Sequence, residues 1–156
     1  MKIITVQRTE FLTTVPKFSR DDLKKTVYRM ITNEQDVWCL RMLLHQLPYI
    51  RDTFQISFRK PVEYGLEKRF FTRVCDFSSA LDGETIDLWS VVALYVHLSR
   101  QGVLEFSGEV MAQFEHVGRY YFRLGIYISD GIPYLVSEYD RGVSFDPEKY
   151  YGVLVK

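Results

Sequence analysis

The acids best placed to do chemistry are Glu138 and Asp140, two residues apart in an alternating run that ends the segment RYYFRLGIYISDGIPYLVSEYD. Residues at i and i+2 of a strand project from the same face. Asp130-Gly131 divides the segment and is a strong signal for a two-residue hairpin loop, because both central positions of a type I′ turn need positive φ. With that loop, paired positions sum to 261. Tyr120, Phe122, Leu124, Ile126 and Ile128 then lie opposite Tyr139, Ser137, Leu135 and Pro133, on a face suited to a core. The other face carries Tyr121, Arg123, Gly125 and Tyr127 opposite Asp140, Glu138, Val136 and Tyr134, and is expected in water or against a partner. Two acids flanked by Arg123 and Tyr121 are the equipment for proton transfer or for holding a metal. The same residues are also what an exposed antiparallel face ordinarily carries, with Arg123 pairing Glu138.

Other chemistry finds little support. The histidines are His45, His97 and His116. His97-Leu98-Ser99 is half of a paired phosphoesterase pattern, and the second copy is absent. Glu109, Glu115 and His116 do not match the spacing of a zinc, calcium or two-metal site, so no metal is expected. Gly-x-Ser-x-Gly is absent, and the nine glycines form neither a Walker loop nor a dinucleotide fingerprint, so no cofactor and no catalytic residue is assigned. Cys39 and Cys75 sit in apolar runs and read as small buried hydrophobes. Asp146-Pro147 reads as a turn or a one-turn helix with Pro147 in its first position.

One segment argues for nucleic acid. Arg59, Lys60, Lys68, Arg69 and Arg73 interleave with Tyr64, Phe70 and Phe71, a mixture that can follow phosphates and stack bases. Glu63 and Glu67 dilute it, and no RNA-binding motif accompanies it.

The chain of 156 residues carries 20 basic and 20 acidic side chains, which excludes a strongly basic nucleic-acid binder. The charge is uneven: 14 Lys+Arg against 8 Asp+Glu through Arg73, a net +6, and 6 against 12 beyond it, a net −6. Such a dipole orients a protein toward a charged partner or lets its two halves pack on each other. Aromatic residues make up 15% of the chain, which suits a sheet-rich core or a tyrosine-bearing contact surface. The N-terminal MKIITVQRTEFLTT has a short apolar patch and no small-residue cleavage site, so it is not read as a signal peptide. No segment is long and apolar enough for a membrane span, and a cytoplasmic location is expected.

The elements that must position these residues follow from periodicity. Lys2 to Gln7 reads as a strand. Ser19 to Asp22 is a capping-box pattern opening a helix with Leu23, Val27, Met30 and Ile31 on one face. Asn33 to Asp36 repeats the signature for a second helix bearing Val37, Leu40, Leu44 and Leu47 and ended by Pro48, so an N-terminal αα-hairpin is expected. Thr53 to Lys60 alternates, with Phe54, Ile56 and Phe58 inward and Gln55, Ser57 and Arg59 outward. Lys68 to Phe77 reads as a second, bulged strand. Thr85 would cap a central buried helix from Ile86 to Arg100, closed by Gly102. Val103 to Phe106, Glu109 to Val117 and Tyr151 to Val155 complete the strands. The expectation is one α+β domain over 1–156, an antiparallel sheet of about five strands with the αα-hairpin and one central buried helix.

For function, the composition favours a module that binds a protein partner: an inhibitor, immunity or adaptor protein of phage or mobile-element origin. Its binding surface would be Tyr121, Arg123, Tyr127, Tyr134, Glu138 and Asp140. A small metal-dependent hydrolase or nuclease using Glu138 and Asp140 is the first alternative. Nucleic-acid binding through Arg59, Lys60, Lys68, Arg69 and Arg73 is the second.

Overall fold

The computed structural model describes residues 10–30, 51–115, 121–140 and 142–155. Expectations for Lys2 to Gln7, for a second N-terminal helix from Asn33, for Cys39 and for His116 fall outside these residues. In chain order the elements are β1 (Phe11–Val15), α1 (Arg20–Met30), β2 (Phe54–Arg59), a 3-10 turn (Pro61–Tyr64), β3 (Phe70–Phe71), α2 (Val74–Ala80), α3 (Leu88–Ser99), β4 (Gly108–Glu115), β5 (Tyr121–Ser129), β6 (Ile132–Asp140), β7 (Val143–Ser144) and β8 (Tyr150–Leu154). The protein is α+β.

Its main sheet has six strands in the order β1-β2-β8-β4-β5-β6, and β3 pairs with β7 separately. This corrects the expected five-stranded antiparallel sheet. β8 enters between β2 and β4, running antiparallel to β2 and parallel to β4, with Gly108 beside Tyr150 and Glu109 beside Tyr151. Gly108 permits the approach, since a Cβ there would lie 2.6 Å from the Tyr150 carbonyl oxygen. Periodicity identifies strands but carries no information about which distant strand becomes a neighbour.

Ser19 caps α1 by accepting from the Asp22 N–H at 3.2 Å. Asp21 and Asp22 occupy the first turn and Arg29 the last, as the helix dipole favours. Leu23 and Val27, one turn apart, are fully buried and dock α1 on α3. In α3 the cap is Asp87, not Thr85. The Asp87 carboxylate accepts from Ser90 N–H at 2.9 Å and from Arg51 Nε at 2.8 Å. The Thr85 hydroxyl instead donates to Ser78 Oγ. Leu88 through Leu94 are all buried, Trp89 among them. α3 is not alone in burying a face, since α2 buries Val74, Phe77 and Ser78.

The stretch expected as a strand from Lys68 to Phe77 pairs only at Phe70 and Phe71 and turns helical at Val74. The side-chain carbonyl of Gln113 accepts from Val74 N–H, and Asp76 joins Arg73 in an ion pair across the first turn. Val103 to Phe106 forms no strand; Leu104 N–H donates to the Gly131 carbonyl at 2.8 Å and ties this loop to the β5–β6 turn.

Both faces of the central sheet are covered. Phe58, Val110, Phe122, Leu124 and Ile126 pack under α1 and α3. On the opposite face Val74, Phe77, Leu81, Met111, Phe145, Tyr151 and Val153 form a second core beneath α2 and the β3–β7 pair. Ser57 and Arg59, expected outward, lie under that second layer and are buried.

Candidate functional site

The β5–β6 hairpin adopts the register its sequence predicts. Tyr121 pairs with Asp140, Arg123 with Glu138 and Tyr127 with Tyr134, while Asp130 and Gly131 both take positive φ, 51° and 77°. Phe122, Leu124, Ile126 and Ile128 are buried on the helix-covered face. The opposite face holds the predicted recognition residues, and the second layer divides it. Tyr134 remains 52% exposed, whereas Arg123 is only 8% exposed and does not meet water as expected.

Arg123 centres a polar network. Its guanidinium pairs with Glu138 and lies 3.5 Å from Tyr127 Oη and 3.4 Å from Met111 Sδ. Tyr127 Oη donates to the same Glu138 oxygen at 3.3 Å, and Lys149 Nζ sits 5.7 Å from the centre of the Tyr127 ring. β4 adds Glu109, the cross-strand partner of Tyr127, which is 6% exposed. Sequence reasoning did not join Glu109 to this cluster. Its one signal was an acid in an otherwise apolar run, Gly108-Glu109-Val110-Met111-Ala112.

Burial pushes the Glu109 carboxyl above its ordinary value, against the opposing pull of Arg123 and Lys149. Burial, with Glu109 alongside, also lifts the Tyr127 phenol well above its usual range. At Arg123 burial acts downward, but the hydrogen bond and charge of Glu138, aided by Glu109, outweigh it and leave the guanidinium above its ordinary value. Tyr151 is pushed up to about 12 by burial, while its hydroxyl accepts from Asp146 N–H at 2.9 Å.

The Glu109 shift has a definite consequence for stability. Between the ordinary carboxyl value of 4.5 and the raised folded value, the native chain holds a proton that the unfolded chain has released. Stability therefore falls as pH rises through that window, and the cost is fully present above it. Glu109→Gln removes the titration. Urea denaturation from about pH 4 to about pH 8 should show the variant gaining on the parent as pH rises. A constant difference would contradict this account of the site.

Comparison with protein-family models, with curated proteins and with solved structures finds no match to this chain. The site must therefore be read from its own geometry.

That geometry commits Glu138 to Arg123, so the acid is not an unengaged metal ligand or base. Among the described residues no three His, Cys, Asp or Glu side chains converge as a metal site. Asp140 holds its register position opposite Tyr121. Not all of the basic segment reaches the surface. Arg59 is buried, donating to the Leu81 and Asp82 carbonyls at 2.7 and 2.6 Å. Lys60 lies over the Tyr150 ring, Arg69 over the Phe71 ring, and Arg73 pairs with Asp76, while Lys68 is exposed. Cys75 is exposed on α2 rather than buried in a strand. His97 approaches Thr13 Oγ1 at 3.3 Å and the Gln101 amide at 2.6 Å, and burial, then Arg100, lowers its pKa. In Asp146-Pro147 the Asp146 carboxylate accepts from Glu148 N–H at 2.9 Å, a turn. No helix among the described residues is long and apolar enough to cross a membrane.

Proposed function

We propose that this protein acts by binding a protein partner, as an inhibitor or adaptor does, through the outer face of the β5–β6 hairpin. The observation that carries the reading is the exposure of Tyr134 beside a fixed network. Tyr134 is 52% exposed on the last strand of the described sheet, and Ile132 in the same row is 46% exposed. Directly opposite, Tyr127 is held by Glu138, which Arg123 holds in turn.

Two physical reasons favour this face. Tyrosine and arginine are enriched at interface centres because they offer wide contact and directed hydrogen bonds. Anchors already fixed by neighbours lose little further freedom on association. β6 also ends the described sheet, and an edge strand with exposed apolar side chains accepts partner backbone readily.

The test is capture from host lysate with the parent chain and with Tyr134→Ala as baits, each with and without nuclease. A stoichiometric protein that survives nuclease and binds Tyr134→Ala about 30-fold more weakly is the expected result, the effect of losing one interface anchor. The variant should melt with the parent, because the ring it removes is half in water. A nuclease-sensitive capture, or equal retention by both baits, would sink the reading.

A further inference from the structure

A cleft of about 570 Å³ opens where α1, α3 and β6 meet, away from the Arg123 network. Its walls gather cations from two elements: Lys25 and Arg29 from α1, and Arg100 from the end of α3. Lys25 and Arg29 are one helical turn apart and therefore share a face, where like charges weaken a helix. Both are exposed, and neither they nor Arg100 forms an ion pair with a described residue. Arg100 is oriented by the Phe18 ring, whose centre lies 5.1 Å from its guanidinium carbon. A guanidinium there also offsets the negative end of α3, a structural use that leaves its N–H groups able to meet a ligand. Among the described residues Asp22 supplies the cleft's one carboxylate.

We propose that this cleft binds a small phosphomonoester that carries a planar ring, with the phosphate held by Lys25, Arg29 and Arg100. Among the described residues, three cations less one carboxylate leave the cleft at +2, the complement of a phosphomonoester, which carries about −1.5 to −2 at neutral pH. A carboxylate ligand would satisfy half of that charge. The serine and threonine hydroxyls that line the cleft do not compete for the role of donor. Ser99 Oγ donates to the Tyr95 carbonyl at 2.7 Å, and Thr26 Oγ1 to the Asp22 carbonyl at 3.3 Å. Phosphate oxygens would therefore meet the cations, whose charge-assisted hydrogen bonds are the stronger kind. Tyr95, from α3, lines the same cleft and provides aromatic surface for a ring. The volume lies within the range of small-molecule sites and is too small for a folded partner.

The probe is adenosine 5′-monophosphate, titrated into the full chain at low salt by calorimetry, with inorganic phosphate and adenosine as separate arms. Saturable one-to-one binding of the nucleotide is expected, at least about tenfold tighter than inorganic phosphate because the ring adds stacking. Adenosine alone should bind more weakly than the nucleotide. Lys25→Glu and Arg29→Glu should each weaken nucleotide binding about tenfold or more, as lost charge-assisted contacts do. Both positions are exposed, so the variants should fold, and parent-like circular dichroism and melting must accompany the loss. Lys17→Glu makes the same charge change at an exposed residue that does not line the cleft and pairs with Asp52. It should leave binding unchanged. Affinity should also fall below about pH 6 as the phosphate gains its second proton.

No saturation by about 10 mM nucleotide, or an equal loss in Lys17→Glu, would overturn the site. Inorganic phosphate binding as tightly as the nucleotide would overturn the ring contact. Tyr134 borders both this cleft and the proposed interaction face, so no substitution here touches it. Failure of nucleotide binding therefore leaves the partner-capture result standing.

Discussion

Replacing Arg59 by alanine is expected to destabilise the protein by about 3–5 kcal/mol, because each carbonyl that its buried guanidinium satisfies costs about 1–3 kcal/mol when left without a donor. Arg59 holds together three separate pieces of chain. Its Nε donates to Ser57 Oγ at 3.1 Å, and its terminal nitrogen donates to the Leu81 and Asp82 carbonyls that follow α2. Glu10 lies 3.5 Å away as its ion-pair partner and also accepts from Tyr64 and Ser57. Alanine would leave two carbonyls at a helix end without a donor and Glu10 without its cation, and would open space beneath the Tyr64 ring. Arg59→Lys should recover only part of the loss, because a compact ammonium cannot span partners that a planar fork reaches. Equilibrium urea denaturation measures both variants. A loss in Arg59→Ala below about 1 kcal/mol would refute this role, and parent-like stability with weakened nucleic-acid binding would return Arg59 to the reading suggested by its sequence neighbours.

Arg123→Ala should be comparably costly, about 3–5 kcal/mol near neutral pH. It leaves the buried Glu109 and the half-buried Glu138 without the cation between them, and Tyr127 loses one of its partners. The loss should shrink at acid pH, because protonation of Glu109, which burial already favours, removes the repulsion, whereas a loss from packing alone would not change. Adding Glu109→Gln and Glu138→Gln to Arg123→Met should restore most of the stability, since a neutral cluster of similar volume does not carry the desolvation cost. Denaturation at about pH 5 and about pH 8 separates these outcomes. Equal losses at both values would show that the charges are not what the site depends on.

Much of the hairpin was legible in the sequence. Asp130-Gly131 allows few turns, and a side-chain period of two then fixes every pairing from Tyr121–Asp140 to Ser129–Ile132. Ser19 and the acids after it marked the start of α1 for a similarly local reason. The α3 cap was displaced because Thr85, Asp87 and Ser90 all suit a helix start. The choice fell to Asp87, which Arg51 binds from a distant stretch of chain. Lys68 to Phe77 looked extended because its apolar residues are compatible with either a strand or one helical turn. The side-chain carbonyl of Gln113, brought in by β4, receives the first helical N–H.

The sequence by itself determined the α+β class, the local elements with tight turns and caps, and the alternation that places Tyr121, Arg123, Tyr127, Tyr134 and Glu138 on one face. Each of these depends on steric and hydrogen-bonding preferences within a few residues. Only the tertiary structure decided that β8 would insert between β2 and β4, that a second layer would cover half of the hairpin's outer face, and that Arg59 and Arg123 would be interior. It also brought Glu109 to Tyr127, and Arg100 to the face of α1 that carries Lys25 and Arg29. These outcomes depend on contacts between residues tens of positions apart. Whether a charged side chain meets water or a partner there is set by which apolar surfaces bury one another, and no pattern along the chain records that choice.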